Sequence, residues 1–306
     1  DSRINRIQDS ASWKTTAPLR FLRRKFVDPK KESDRKAQKD GTNQTRKKGL
    51  GPTKLYRKWI SKHDRFGSGD YKTAKKELAG LKTKPLFSIL LPVFDPEENH
   101  LRATIDSVFS QIYTNWELCI VNDASKNSYV KPFLDSLVSR DKRVKVSHRE
   151  TNGHISQASN DAAKMAEGDF LVLLDHDDLL RPHSLLRNAQ KINDNEGLQL
   201  IYSDEDKLDE EGARFDHYFK PDWNPDLFLS QNYLCHLTCI SREAFVRAGG
   251  FRTGVEGSQD WDLLLRVTEQ IKDEEIGHIA EILYHWRATE KSTAKALKAK
   301  DYVLNS

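Results

Sequence analysis

Nothing in the 306-residue sequence approaches the roughly 18 consecutive apolar residues needed to cross a bilayer as a helix, which excludes a transmembrane span within it. No charged-then-apolar leader is present either, so a secretory signal is not expected. Cysteine is scarce and odd in number: Cys119, Cys235 and Cys239 do not make a disulfide framework and fit a reducing, cytoplasmic setting. Cys235, His236 and Cys239 lack a second ligand pair at metal spacing, which argues against a structural zinc and for buried thiols on a strand. An initiating Met is missing, and the chain opens at Asp1 within a plausible helix, so it reads as a piece of a longer polypeptide with other domains. What is present suffices for a core. With 37% hydrophobic residues at this length, one large α/β domain with appendages or two smaller domains can form.

The net charge of +4 conceals two unlike parts. Residues 1–84 carry 25 Lys and Arg against 9 Asp and Glu, whereas the remainder carries 25 against 37. Residues 1–84 thus read as a basic N-terminal extension. Within it, 28–54 is polar, with almost no large apolar side chains, and cannot bury enough surface to order itself; it reads as a linker. Ahead of the linker, residues 13–26 join Trp13, Leu19, Phe21, Leu22 and Phe26 to five cations. Such a segment could lie peripherally on the anionic inner membrane surface or touch a neighbouring domain, although basic runs are most often solvated arms. Residues 54–81 have helical character, with Leu55, Trp59, Ile60, Phe66 and Tyr71 available for packing. The basic residues come with no recognisable nucleic-acid-binding fold, so no nucleic-acid partner is expected.

From residue 85 the pattern becomes regular. The run 87–94 (FSILLPVF) predicts a first strand, and 97–111 an amphipathic helix with Leu101, Ile105, Val108 and Phe109 on one side. A second strand, 116–121, ends in Asn122-Asp123-Ala124-Ser125 and is followed by a helix through residue 137. A third strand spans 143–148, a helix 155–166, and a fourth strand 170–174. Strand and helix alternating at this spacing predict a parallel sheet covered on both faces. Each strand ends in a polar group: Asp95, then Asp123, then Arg149 with Asn152, then the tetrad Asp175-His176-Asp177-Asp178. Open α/β sheets bind ligands at the carboxyl ends of their strands. Crowded carboxylates repel one another, and a hard divalent cation with oxygen ligands is the usual relief. The tetrad therefore predicts a metal and diphosphate site, with a nucleotide lying across the rim from Asp123. Taken alone, so short a motif reads equally well as an acidic turn capping the next helix.

Four segments, SILLPVFDP, ELCIVNDAS, NGHISQASNDAAKMAEGDFLVLLDHDD and GSQDWDLLLR, resemble in order and spacing the successive blocks of family 2 glycosyltransferases over residues 85–290. YSDEDK at 202–207, FKPDWNPDLFLSQNYLCHL at 219–237 and ILYHWR at 282–287 are similar to the polysaccharide and O-antigen, rhamnosyltransferase-like members. The resemblance implies a GT-A domain: α/β, Rossmann-like, with a mostly parallel central sheet and helices on both faces. The basic extension would precede it and a tail, 291–306, would follow. It also implies an inverting transferase that moves a hexosyl or deoxyhexosyl group from a nucleotide-diphosphate sugar to a hydroxyl of a growing polysaccharide or lipid-linked glycan. Mn²⁺ or Mg²⁺ would sit on the diphosphate.

Roles follow position by position from the same resemblance. Pro92, Phe94, Asp95, Asp123, Asn152 and Asp175 match the nucleotide-sugar-binding set, with Asp123 accepting a hydrogen bond from the nucleobase imide and Asp175 facing the ribose. His176 belongs to the same nucleotide-sugar-binding set by position, with its ring expected to turn into the sheet and to take no catalytic part. Asn122 and Ser159 depart from the common pattern and leave the base open among uridine, thymidine and guanosine. Asp177 matches the metal ligand of the DxD motif, with Asp178 assisting. Asp260, second in Gln259-Asp260 where the family has Glu-Asp, matches the catalytic base. It opens a helix over 261–271, whose N-terminus is expected to lower its pKa, and an ordinary N-cap is the alternative. His285 is a candidate third metal ligand or diphosphate contact, or else a packed core residue. Arg287, Trp261 and Asp204 are candidates for diphosphate or acceptor contacts. Two rival readings are an inactive nucleotide-sugar-binding domain, which Gln259 would suit, and a nucleotidyltransferase. The latter should carry a Gly-rich basic loop where this chain has Asp95-Pro96-Glu97-Glu98.

Overall fold

The computed structural model describes residues 54–288. The segment 13–26, the linker up to residue 53 and the tail 291–306 lie outside the described residues. Two helices open the described chain, α1 (Lys54–His63) and α2 (Ser68–Ala79), where the sequence predicts one continuous helical stretch. The break carries Asp64, whose carboxylate is turned inward to Arg181 at 2.7 Å and to Arg214. Trp59, Ile60 and Phe66 are partly buried, as their apolar character suggests, but Leu55 and Tyr71 remain exposed at 45% and 38%.

The main body then alternates β1 (Phe87–Val93), α3 (Glu98–Phe109), β2 (Trp116–Asn122), α4 (Val130–Arg140), β3 (Val144–His148), α5 (His154–Met165) and β4 (Phe170–Leu173). These strands pair in parallel in the order β3-β2-β1-β4. β1, β2 and β4 are buried almost throughout, the condition that unbroken apolar runs satisfy when helices cover both faces. Alternate residues serve opposite layers: Ile89, Leu91, Leu118 and Ile120 join one core, and Leu90, Cys119 and Val121 the other. Gly168 lets β4 start hard against β1, because a Cβ there would come within 2.5 Å of Ser88 Oγ and 2.6 Å of Leu86 O.

Beyond β4 the sheet continues through β5 (Leu179–Leu180), α6 (Ser184–Asp194), β6 (Leu200–Leu208), β7 (Arg214–Tyr218), a single helical turn α7 (Pro225–Phe228), β8 (Thr238–Ser241), α8 (Arg242–Arg247), α9 (Gln259–Thr268) and β9 (Ile276–Arg287). β8 lies antiparallel between β4 and β6, β9 runs parallel to β6, and β5 and β7 add antiparallel pairs at β9 and β6. The nine strands form one α/β sheet, and the ends of β1, β2, β4 and β9 meet on one rim. Among the described residues no helix is long and apolar enough to cross a membrane.

Candidate active site

The acidic tetrad occupies the turn between β4 and β5. Leu174 N–H still donates to Leu90 O at 3.2 Å, after which the chain leaves the β1 ladder and returns to pair Leu179 with His285 of β9. Asp178 is fully buried. Its Oδ2 accepts from the Tyr284 hydroxyl at 2.6 Å and its Oδ1 from the Arg287 backbone N–H at 2.7 Å. Arg287 Nε donates to the Asp177 carbonyl at 2.8 Å, so β9 fastens the turn from above. Burial, then repulsion from Asp177 and Asp175, holds the Asp178 carboxyl well above the ordinary carboxylate range. Burial raises Asp177 as well, with the neighbouring His176 pulling the other way. His176 is half-buried on the turn, its carbonyl accepting from Thr104 Oγ1 of α3 at 2.9 Å, because the strand has ended before it.

A residue from a distant segment completes the cluster. The loop before β8 brings His236 Nε2 to 3.6 Å from Asp175 Oδ2, and its ring stacks on Tyr284 with centroids 4.6 Å apart and planes at 14°. One ligand atom each from Asp175, Asp178 and His236 lie within 4.8 Å of one another. The cluster fits a divalent cation on two grounds. Burial and mutual repulsion hold the Asp177 and Asp178 carboxyls above the ordinary carboxylate range, a strain that a cation would relieve, and His236 Nδ1 is buried without a hydrogen-bond partner among the described residues. Asp178 has both oxygens already engaged. Asp175 and His236 therefore keep the free ligand atoms of this group, and the Asp177 carboxylate, the ligand that the DxD resemblance implies, is not among the atoms that converge here.

Asp260 lies at the start of α9, on the Asp175 and His236 side of the cluster. Its carboxyl is raised to about 6, not lowered as the helix N-terminus suggests. Burial dominates; His236 pulls the value down, Asp175 pushes it up, and Gln259 Nε2, donating to Oδ2 at 3.1 Å, lowers it again. Its neighbour Trp261 is partly buried, with its indole N–H held by Phe228 O at 3.1 Å.

Two expectations are corrected by the geometry. His285 does not join the acidic cluster. Successive residues of β9 face opposite ways, so Tyr284 meets Asp178 while His285 Nδ1 is bonded to the buried Asp206, which also accepts from Tyr56 Oη and Arg214 Nε at 2.6 Å. Burial lowers the His285 pKa, as for a packed imidazole. Asp204 does not face a ligand either. It is 1% exposed, and its Oδ1 accepts from His278 Nε2 and Lys220 N–H, both at 2.9 Å.

At the other end of the rim, Asp123 is buried just past β2. Its Oδ1 accepts from Gly153 N–H at 2.9 Å and forms an ion pair with Arg149, whose Nε lies 2.9 Å away, and its carbonyl accepts from Asn152 Nδ2 at 3.1 Å. Asp95, at positive φ, spends Oδ1 on the backbone N–H groups of Lys126 (2.6 Å) and Asn127 (2.9 Å), so its carboxylate shapes the loop beside Asp123. Pro92 is half-buried, and Phe94 stands 42% exposed at the mouth. His236 and Tyr284 are the participants that sequence reasoning missed. In the sequence His236 stands out only beside Cys235 and Cys239, and Tyr284 is overshadowed by the titratable His285 next to it. Strand alternation along 282–287 tells that Tyr284 and His285 point to opposite faces, and only the packing of β9 on the turn tells which of them reaches it.

The model for "Glycosyl transferase family 2" matches residues 88–247. An uncharacterized protein of Sinorhizobium fredii, y4gI, is 46% identical over 222 residues, covering 72% of this chain and 24% of that protein. The O-antigen biosynthesis protein RfbC of Myxococcus xanthus is 39% identical over 223 residues, covering 73% of this chain and 17% of that protein. The chain thus spans about a quarter or less of these curated relatives. Among solved structures, S. aureus TarS 1–349 in complex with UDP-GlcNAc superposes with a TM-score of 0.56 at 19% identity, covering 69% of this chain and 61% of that one, a likeness of fold.

Proposed function

The chain belongs to glycosyl transferase family 2, and from that premise we propose that it is an inverting enzyme that moves a hexosyl or deoxyhexosyl group from a nucleotide-diphosphate sugar to a hydroxyl of a growing polysaccharide or lipid-linked glycan. One observation carries the reading. Asp260, poised near neutrality, faces the Asp175 and His236 edge of a carboxylate cluster at the carboxyl end of β4.

In this proposal the nucleotide lies along the rim, its base against Asp123 and the 92–95 loop, its ribose near Asp175, and its diphosphate over the acidic turn. Asp175 and His236, together with Asp177 as the DxD resemblance implies, would hold Mn²⁺ or Mg²⁺, which when bound supplies Lewis-acid stabilisation of charge on the departing diphosphate. Asp260 takes the proton of the acceptor hydroxyl as it attacks the anomeric carbon from the opposite face. A carboxyl near pKa 6 is mostly ionised at pH 7 yet still basic enough for the task. One base and one displacement give inversion. Arg287, whose Nε is fixed on the Asp177 carbonyl, borders the diphosphate side, and Trp261 borders the acceptor side. A peripheral position at the cytoplasmic membrane surface belongs to the same proposal and rests on the cations of residues 13–26.

The test is a panel of nucleotide sugars incubated with the chain, with and without Mn²⁺, scored for release of nucleoside diphosphate. One donor is expected to turn over only with metal. Metal-independent release, or release of pyrophosphate, would overturn the reading.

A further inference from the structure

Lys220, in the segment between β7 and α7, is 1% exposed, and its ammonium lies wholly inside the domain. Each of its three donors is spent: on Glu205 Oε2 at 3.1 Å, on Leu234 O at 2.7 Å, and on His236 O. Glu205 is also buried, on β6, and the same Oε2 accepts the His236 backbone N–H at 3.1 Å. One buried ion pair therefore holds both main-chain polar groups of the residue whose ring closes the acidic cluster. The loop it holds is not relaxed. Cys235, immediately before, sits at φ +36, a conformation that a residue with a β-carbon adopts only when its surroundings impose it. Asn232 adds two contacts, its Oδ1 accepting Cys235 N–H at 3.3 Å and its carbonyl accepting from Cys235 Sγ at 3.1 Å.

A buried ammonium is costly to desolvate, and replacing such a pair by apolar side chains is often neutral or stabilising, so fold stability alone gives little reason for it. Its geometry gives one. We propose that the Lys220–Glu205 pair is the positioning device for His236, locking the backbone of that residue so that its ring stays stacked on Tyr284 with Nε2 toward Asp175. Neither Lys220 nor Glu205 touches the cation or the donor; both act through His236. The inference rests on the reading of Asp175, Asp177 and His236 as the metal-holding edge of the donor site.

The experiment is a double-mutant cycle read by Mn²⁺ binding to the chain in titration calorimetry, with the His236 ring signals in the metal-free protein as a second readout. Lys220→Met is expected to weaken Mn²⁺ binding roughly 10- to 100-fold, the usual consequence of losing the support behind a ligand, and to shift the His236 ring signals. In a His236→Ala background the same change should weaken binding less than about twofold further, since the ligand it positions is gone. Glu205→Gln, which leaves Lys220 two carbonyl partners, is the milder variant should Lys220→Met fail to fold, and is expected to act in the same direction. Equal losses from Lys220→Met, or from Glu205→Gln in its place, in both backgrounds would overturn the positioning role. So would unaltered ring signals and binding in a variant where His236→Ala alone weakens binding. If His236→Ala leaves Mn²⁺ binding intact, the metal reading fails first and takes this inference with it.

Discussion

Replacing Asp260 with Asn is expected to cut transfer steeply and at the same time to stabilise the fold. The carboxyl has its pKa raised from 3.8 to about 6, chiefly by burial. A folded-state value above the unfolded one means that the ionised group opposes folding at high pH, and that this opposition is relieved as pH falls from 6 toward 3.8. Two pKa units and a little more correspond to about 3 kcal/mol at pH 7.5, an upper bound because the group is only half-buried. Asn is neutral at every pH and escapes this cost. Urea unfolding of both proteins, without added metal, should thus find Asp260→Asn more stable by up to about 3 kcal/mol at pH 7.5. The gap should roughly halve by pH 5 and vanish below the unfolded-state pKa. Transfer should fall about 10²- to 10⁴-fold, the usual contribution of a positioned base, while binding of nucleoside diphosphate persists. A variant that is less stable at pH 7.5, or whose stability difference ignores pH, would refute the claim that burial strains this carboxylate. Surviving transfer would refute the base.

The other expectations concern the acidic turn and two ion pairs of contrasting burial. Asp177→Asn should remove Mn²⁺-dependent donor turnover, and near-normal release with added Mn²⁺ would contradict the metal site. Arg214→Met should lower stability by about 3–5 kcal/mol, because it strips a partner from both Asp206, which is wholly buried, and Asp64; denaturant midpoints measure this. Arg247→Met, which breaks the exposed pair with Glu243 on α8, should cost less than about 1 kcal/mol in the same assay.

The parallel half of the domain was legible from the chain because its signals are local. Largely apolar runs such as 87–94 and 170–174 read as strands covered on both faces, and the residues that end them gather on the rim. The observed strands end within one residue of those runs. The break at Asp64 was not legible, since nothing near it in sequence shows that Arg181 and Arg214 will take its carboxylate. Nor was the choice between Tyr284 and His285, which depends on which face of β9 meets the turn.

The sequence by itself determined the fold family, the rim, and the acidic turn on it, because strand burial and strand ends are read from runs of a few residues. Only the tertiary structure decided the membership and the state of the site. His236 joins Asp175 across 61 positions through a loop held by a buried ion pair, and Asp260 titrates near 6 against the pull of its own helix. Both are effects of burial and of through-space charge. They depend on what other segments pack around a residue, and no window of neighbouring residues contains that.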